Sequence, residues 1–143
     1  LKEAVVIQMT LPGVPLIYYG DEAGLTGGKD PSNRKSYPWG KENNDILGFY
    51  RKISAIRVSE EALRNGEIEF LEFNNGILAY QRTLNKDRII IAVNIMEKEE
   101  NILINNVDGN ILDLLDEDKE YIVENRSTSV LIEAHQFMIL KVL

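Results

Sequence analysis

The chain has 143 residues, no cysteine, one histidine and one tryptophan, and its 16 Lys and Arg against 23 Asp and Glu give a net charge of −7. That acidic balance argues against nucleic acid or an anionic membrane surface as the main partner, because both require basic patches. Without cysteine there is no disulfide or thiolate chemistry, which favours a cytoplasmic, reducing compartment without fixing one, and no apolar run approaches the roughly 20 residues that cross a bilayer.

In chain order, Lys2 to Leu11 reads as the last turns of a helix, with Leu1, Ala4, Val5, Gln8 and Met9 at helical spacing and Pro12-Gly13 closing it. Val14 to Tyr19 follows as an apolar run without alternation, the pattern of a strand covered on both faces in a parallel sheet. In such sheets ligands meet the carboxyl ends of strands, so Gly20-Asp21-Glu22 is where an active-site loop would begin. A plain core strand ending in a polar turn fits the same residues. A helix, a tight turn and a buried strand make half of a βαβ unit, and the chain is therefore expected to be part of a longer protein.

Residues 20 to 44 form a loop rich in Gly, Pro, Ser, Asn and charge, of a length that is usually functional or disordered. Asn44 or Asp45 can then cap a helix whose apolar positions Ile46, Phe49, Tyr50, Ile53 and Ile56 recur every three or four residues. Ser59 can cap a short further turn that Gly66 stops. From Ile68 the period changes to that of strands. Ile68 to Phe73 and Ile77 to Thr83 flank Asn74-Asn75-Gly76, a hairpin signal, and Arg88 to Ile95 follows Asn85-Lys86-Asp87. Shorter candidates are Asn101 to Ile104, Ile111 to Leu115, Glu120 to Val123, Ser129 to Ile132 and Phe137 to Val142. Strands of this length and spacing indicate an antiparallel sandwich.

Several motifs fail. Gly24 to Lys29 lacks the glycine and the Ser or Thr of a phosphate loop, with Ala23 and Asp30 in their places. Asp113, Asp116, Glu117, Asp118 and Glu120 lack the glycine and terminal glutamate of a calcium loop and read as a solvated turn. His135, the sole histidine, is expected in the turn before the last strand and supports neither a multi-histidine metal site nor a triad with a spare. Asn125-Arg126-Ser127 matches a glycosylation acceptor, which carries no weight without secretion. No metal and no cofactor are expected.

The loop holds a stronger pattern. Gln8-Met9-Thr10-Leu11-Pro12-Gly13-Val14-Pro15 followed by Thr26-Gly27-Gly28, Asp30-Pro31, Arg34-Lys35 and Pro38-Trp39 resembles the end of the catalytic barrel in α-amylase family glycoside hydrolases, in particular the neopullulanase, cyclomaltodextrinase and maltogenic amylase branch. Phe49-Tyr50-Arg51-Lys52 and Ile56-Arg57 resemble that family's eighth barrel helix. The resemblance implies that residues 1–66 are the end of the barrel (end of helix seven, strand eight, loop, helix eight) and 67–143 a C-terminal β-sandwich. It also implies that Asp30 and Arg34 contact glucosyl units of an α-glucan oligosaccharide. A carboxylate and a guanidinium suit vicinal hydroxyls, and their four-residue spacing equally permits a plain ion pair. Tyr18, Tyr19, Asp21 and Glu22 are expected to brace the strand end.

Retaining glycosidases need two carboxyl groups about 5 Å apart, which the family carries on barrel strands four and five, with a further aspartate after strand seven. Asp21 and Glu22 cannot replace them, because adjacent side chains on a strand diverge. No catalytic residue is therefore expected in this chain, which alone should be inactive. The fold expectation is mainly β: helices and the strand-eight remnant packed beside a sandwich of about seven or eight strands, or else a sandwich with residues 1–44 disordered. The rival function is a non-enzymatic glucan- or protein-binding sandwich, for which Tyr80 and Tyr121 are the few candidate surface aromatics. Bare apolar faces over residues 1–56 point to homo-oligomers.

Overall fold

The computed structural model describes residues 1–73, 76–116 and 119–143. Three helices come first: α1 Lys2–Thr10, α2 Asn44–Ser59 and α3 Glu61–Asn65. Eight strands follow: β1 Glu67–Leu71, β2 Ile77–Leu84, β3 Asp87–Asn94, β4 Glu100–Asn105, β5 Ile111–Asp113, β6 Glu120–Tyr121, β7 Ser127–Ile132 and β8 Phe137–Val142. Six of them form one antiparallel sheet in the order β1-β2-β3-β8-β5-β6, and β4 pairs with β7 as a two-stranded ribbon. The fold is mainly β and antiparallel, as the strand pattern implies.

The sheet is the middle of three layers, and β3 shows why its sequence does not alternate. Ile89, Ile91 and Val93 point toward the helices, while Ile90 and Ala92 point toward the ribbon. All five are fully buried. Period two still governs the strand, but both faces are apolar because both are covered. On the helix side Val5, Val6, Met9, Tyr50, Ile53, Ile56, Ala62 and Leu63 close the core. On the other side Ile102 and Ile104 of β4 and Val130 and Ile132 of β7 pack against Met138 and Leu140.

The two hairpins at the sheet's start set its register. Glu67 pairs with Thr83 and Leu71 with Ala79, so β1 and β2 form the expected hairpin, although Asn74 and Asn75 of its turn lie outside the described residues. Leu84 pairs with Asp87 across Asn85, whose φ of 56° is a left-handed turn conformation that Asn tolerates. His135 takes the same conformation in the turn between β7 and β8, as expected (φ 56°). Of the acidic stretch, Glu117 and Asp118 lie outside the described residues.

Four expectations need correction. Val14 to Tyr19 is not a strand: a strand exists through its ladder, and no described residue pairs with this segment. Val14 is 96% and Leu16 74% exposed. The buried face of α1 is Val5, Val6, Met9 and Thr10, one step round from the face expected, and leaves Leu1, Ala4 and Gln8 exposed. The cap of α2 is Asn43, one residue earlier than expected, whose side-chain oxygen accepts the amides of Asp45 and Ile46 at 3.1 Å. Ser59 does not cap α3. It ends α2 by donating to the Ile56 carbonyl, and Glu60 takes the cap position while its carboxylate receives Lys141 of β8 at 2.8 Å. Gly66 does stop α3, but in an extended conformation; a Cβ there would run into the carbonyl oxygens of Ala62 and Thr83, so close approach rather than a left-handed turn selects glycine.

Within residues 1–44, the first helix is not detached from the sheet. α1 is part of the core, and two buried arginines fasten its end. Arg82 of β2 donates to the carbonyls of Thr10, Leu63 and Gly66 at 2.5–2.8 Å. Arg57 of α2 donates to Met9, Leu11 and Gly13. Their partners are carbonyls at and just past the C-terminal ends of α1 and α3, the negative ends that suit cations. Burial first, and then the neighbouring guanidinium of Arg57, lowers the pKa of Arg82. Tyr80 stands beside them with its hydroxyl 2.5 Å from that of Thr10.

Candidate functional site

The segment from Pro12 to Asn43 leaves the end of α1 and returns to the start of α2. Gln8 holds its first part by donating to the Leu16 carbonyl at 2.7 Å, and Asn43 closes the return by donating its amide to Ala23 at 2.9 Å. Between them the chain turns tightly at Gly20, whose φ of +91° favours glycine and whose missing Cβ makes room for Leu25. Ala23 is buried under this turn. A Cβ at Gly27 would meet the backbone of Asn33, so the loop tip doubles back on itself between residues 27 and 33.

That doubling brings Asp30 and Arg34 together. Arg34 Nε lies 2.7 Å from Asp30 Oδ1 and its Nη2 3.0 Å from Oδ2, a two-pronged contact with both side chains mostly exposed. The ion pair permitted by their spacing is thus present, and the pair faces solvent with further lone pairs and N–H groups unspent. Lys35 beside it donates to the Thr26 carbonyl at 2.8 Å and accepts Tyr19 Oη on its own carbonyl at 2.9 Å.

The expected bracing residues occupy the foot of the loop. Glu22 accepts the Gly20 amide at 2.9 Å, and the Tyr18 and Tyr19 rings stand 5.0 Å apart. The phenol of Tyr37 is pushed above its ordinary pKa by desolvation first and then by the carboxylates of Glu22 and Glu42. The Tyr37 ring lies 4.5 Å from that of Trp39, which is 82% exposed. Burial, followed by Asp21 and Glu22, raises Tyr50 in the same way. Asp21 and Glu22 thus lie near enough to Tyr50 of α2, and Glu22 to Tyr37, for their charges to act on those phenols. Among the described residues no group of three or more His, Asp or Glu could hold a metal ion.

Two sequence readings of the strands do not survive. Tyr80 is fully buried against Thr10 and Arg82, and Tyr121 is half-buried with Lys119 over its ring at 5.3 Å, so they form no surface row. The sequence reading named Arg57 only within the helix resemblance, without its carbonyl partners, and missed Arg82 and the fully buried Asn94. Asn94 donates to Lys98 and Glu133 at 2.8 Å and accepts the Met96 amide at 2.9 Å, tying the β3–β4 turn to the end of β7. The one available signal was a charged Arg within β2 and an Asn closing the apolar run of β3.

No protein-family model matches the chain. Among curated proteins it is 35% identical over 150 aligned positions to an amylopullulanase of Thermoanaerobacterium saccharolyticum, covering 94% of this chain and 12% of the relative. It is 38% identical over 111 positions to a cyclomaltodextrinase of Thermoanaerobacter pseudethanolicus, covering 76% of the chain and 19% of the relative. The chain thus spans well under a quarter of the length of these relatives. Among solved structures it superposes on a cyclomaltodextrinase with a TM-score of 0.84 at 30% identity, over 98% of the chain and 25% of that structure. An Anoxybacillus α-amylase gives a TM-score of 0.90 at 23% identity, over 98% of the chain and 31% of that structure, a likeness of fold. By sequence and by fold, the chain is homologous to α-amylase family glycoside hydrolases, which it matches as a C-terminal segment.

Proposed function

We propose that this chain is the closing part of an α-glucan-acting hydrolase, with residues 1–66 ending the catalytic barrel and 67–143 forming the C-terminal β domain. The observation that carries this reading is the exposed Asp30–Arg34 fork at the tip of a loop leaving Val14–Tyr19, in a chain homologous to cyclomaltodextrinases and amylopullulanases. A planar carboxylate and guanidinium held edge to edge offer an acceptor and a donor to neighbouring sugar hydroxyls. Asp21 and Glu22 act in bracing the loop foot, consistent with Glu22 binding the Gly20 amide. The paired carboxylates of a retaining mechanism are contributed from outside this chain, which binds sugar without cleaving it.

The substrate class is a maltooligosaccharide, cyclodextrin or pullulan, in keeping with relatives named for those substrates and with a neighbour solved in complex with maltotriose. Calorimetric titration with maltooligosaccharides tests the loop. Binding in the millimolar range (about −4 kcal/mol) should be weakened at least tenfold by Asp30→Ala. Binding indifferent to that substitution removes the loop from the reading, and release of shorter sugars by the pure chain removes the claim that its carboxylates do not catalyse.

A further inference from the structure

The sandwich carries a groove that the barrel-end reading does not use. It lies on the ribbon side of the six-stranded sheet, between the open edge of β1 and the open edge of β4, with a volume of about 500 Å³. A second hollow of about 480 Å³, sharing Phe73, Leu103 and Asn105, continues it along β4. Pockets of this size ordinarily take a small organic ligand. α1, α2 and the 12–43 segment lie on the opposite side of the sheet, so a ligand here does not compete with one at Asp30 and Arg34.

The groove's polar floor is built in advance. Gln81 donates to Glu69 at 2.5 Å and accepts Arg88 Nε at 2.7 Å, while Arg88 Nη1 donates to the Asn106 carbonyl at 2.7 Å. Glu69 and Gln81 are register partners across β1 and β2, so strand pairing holds the line in place. Among the described residues three polar atoms on this floor have no partner: Glu69 Oε1, Arg88 Nη2 and Asn105 Nδ2. Glu69, Arg88 and Asn105 line the groove beside the half-buried Phe73 and the 55% exposed Leu103, which leaves one acceptor and two donors for a ligand.

We infer that this groove is a second α-glucan-binding site, an inference that rests on the proposed glucan specificity. A sugar ring offers what the lining asks for: vicinal hydroxyls for the planar polar groups and an apolar ring face for Phe73 and Leu103. Two carboxylates, Glu69 and Glu72, against one guanidinium repel polyanions. Glu67, Glu69 and Glu72 along and beside β1 also discourage an added polypeptide strand, the usual danger at an open sheet edge. A neutral polyhydroxylated chain is the occupant left. The preset floor spares the ligand the cost of ordering those side chains.

Amide-resolved NMR of this chain titrated with maltoheptaose tests the site. Saturable shifts are expected at Glu69, Gln81, Arg88, Leu103 and Asn105, with a midpoint near 1 mM or below (about −4 kcal/mol). They should persist in Asp30→Ala and weaken at least fivefold in both Leu103→Asp and Asn105→Ala, two exposed positions whose substitution leaves the core spectrum unchanged. Shifts at Arg34 and Trp39 without any in the groove overturn this inference and leave the loop reading intact. The converse pattern overturns the loop contact and leaves the groove standing. Groove shifts indifferent to both β4 variants, or broadening there that follows chain concentration without sugar, also overturn it, the latter because a second copy would then be the occupant.

Discussion

Val14 to Tyr19 and Ile89 to Val93 are both unbroken apolar runs, and they end in opposite environments. Every residue of the second is fully buried, with the helices on one side and the β4–β7 ribbon on the other. The first is unpaired and largely exposed, tied only by contacts such as Gln8 to the Leu16 carbonyl. An apolar run without alternation records that a segment suits two covers; whether it becomes a strand depends on neighbours that supply them. In β3 both covers come from this chain. For Val14 to Tyr19, on the barrel-end reading, they come from elsewhere in the protein.

The contrast can be broken by substitution. The largest loss is expected at the buried arginine that joins α1 and α3 to the sheet. Arg82→Ala leaves the carbonyls of Thr10, Leu63 and Gly66 without that donor and opens a cavity, and should cost about 4 kcal/mol in urea unfolding. A loss under about 1 kcal/mol would show that α1 is not fastened as described.

Ile91→Ala should cost about 3 kcal/mol, while Leu16→Lys should change stability by less than about 0.5 kcal/mol. Equal losses at the two positions would erase the distinction between the runs. Leu16→Lys also probes association: exposed apolar residues over 1–56 should drive concentration-dependent self-association that the added charge reduces. A wild-type chain that sediments as a 16.3 kDa monomer at every concentration contradicts that expectation.

Tyr80→Phe removes one buried hydroxyl contact, to Thr10, and should cost about 1 kcal/mol. A pH-dependent effect concerns Asp113. Burial raises its carboxyl pKa, against the lowering effect of the Leu115 amide that it accepts. A folded-state pKa above the unfolded one gives a contribution fully present below the unfolded pKa and lost as pH rises through the folded one. At neutral pH the folded state therefore bears the cost of burying this carboxylate. Asp113→Asn, which keeps an acceptor for Leu115, should raise Tm by a few degrees at most at pH 7 and by nothing in strong acid. A gain that grows as pH falls contradicts the sign.

Much of the architecture was legible because local signals agree with the tertiary outcome. The helical period of Ile46 to Ile56 and the hairpin around Gly76 settled their elements, and the quoted loop residues pointed to the family. What was not legible depends on long-range partners. Nothing around Arg82 announces that three carbonyls from distant segments converge on it, and Tyr80 reads as a surface aromatic until Thr10 arrives beside it. The caps slipped because Asn43, Asn44 and Asp45 are all competent N-caps, and the geometry of the returning loop at Ala23 chooses among them. Of the candidate site, the spacing of Asp30 and Arg34 made their ion pair legible, while the sugar contact that the motif implies for them is a proposal. The groove beside β1 was invisible, since it is made by the gap between two sheets.

The most direct test of the two-run contrast is native-state hydrogen exchange resolved by residue. Amides of Ile89 to Val93 are expected to exchange only through global unfolding, with protection free energies equal to the stability measured in urea. Amides of Leu16 to Tyr19, measured at a dilution where the chain is monomeric, are expected to exchange near the rate of an unstructured peptide. Protection of the second set comparable to the first would contradict the account, because it would mean that this chain covers and pairs Val14 to Tyr19 by itself.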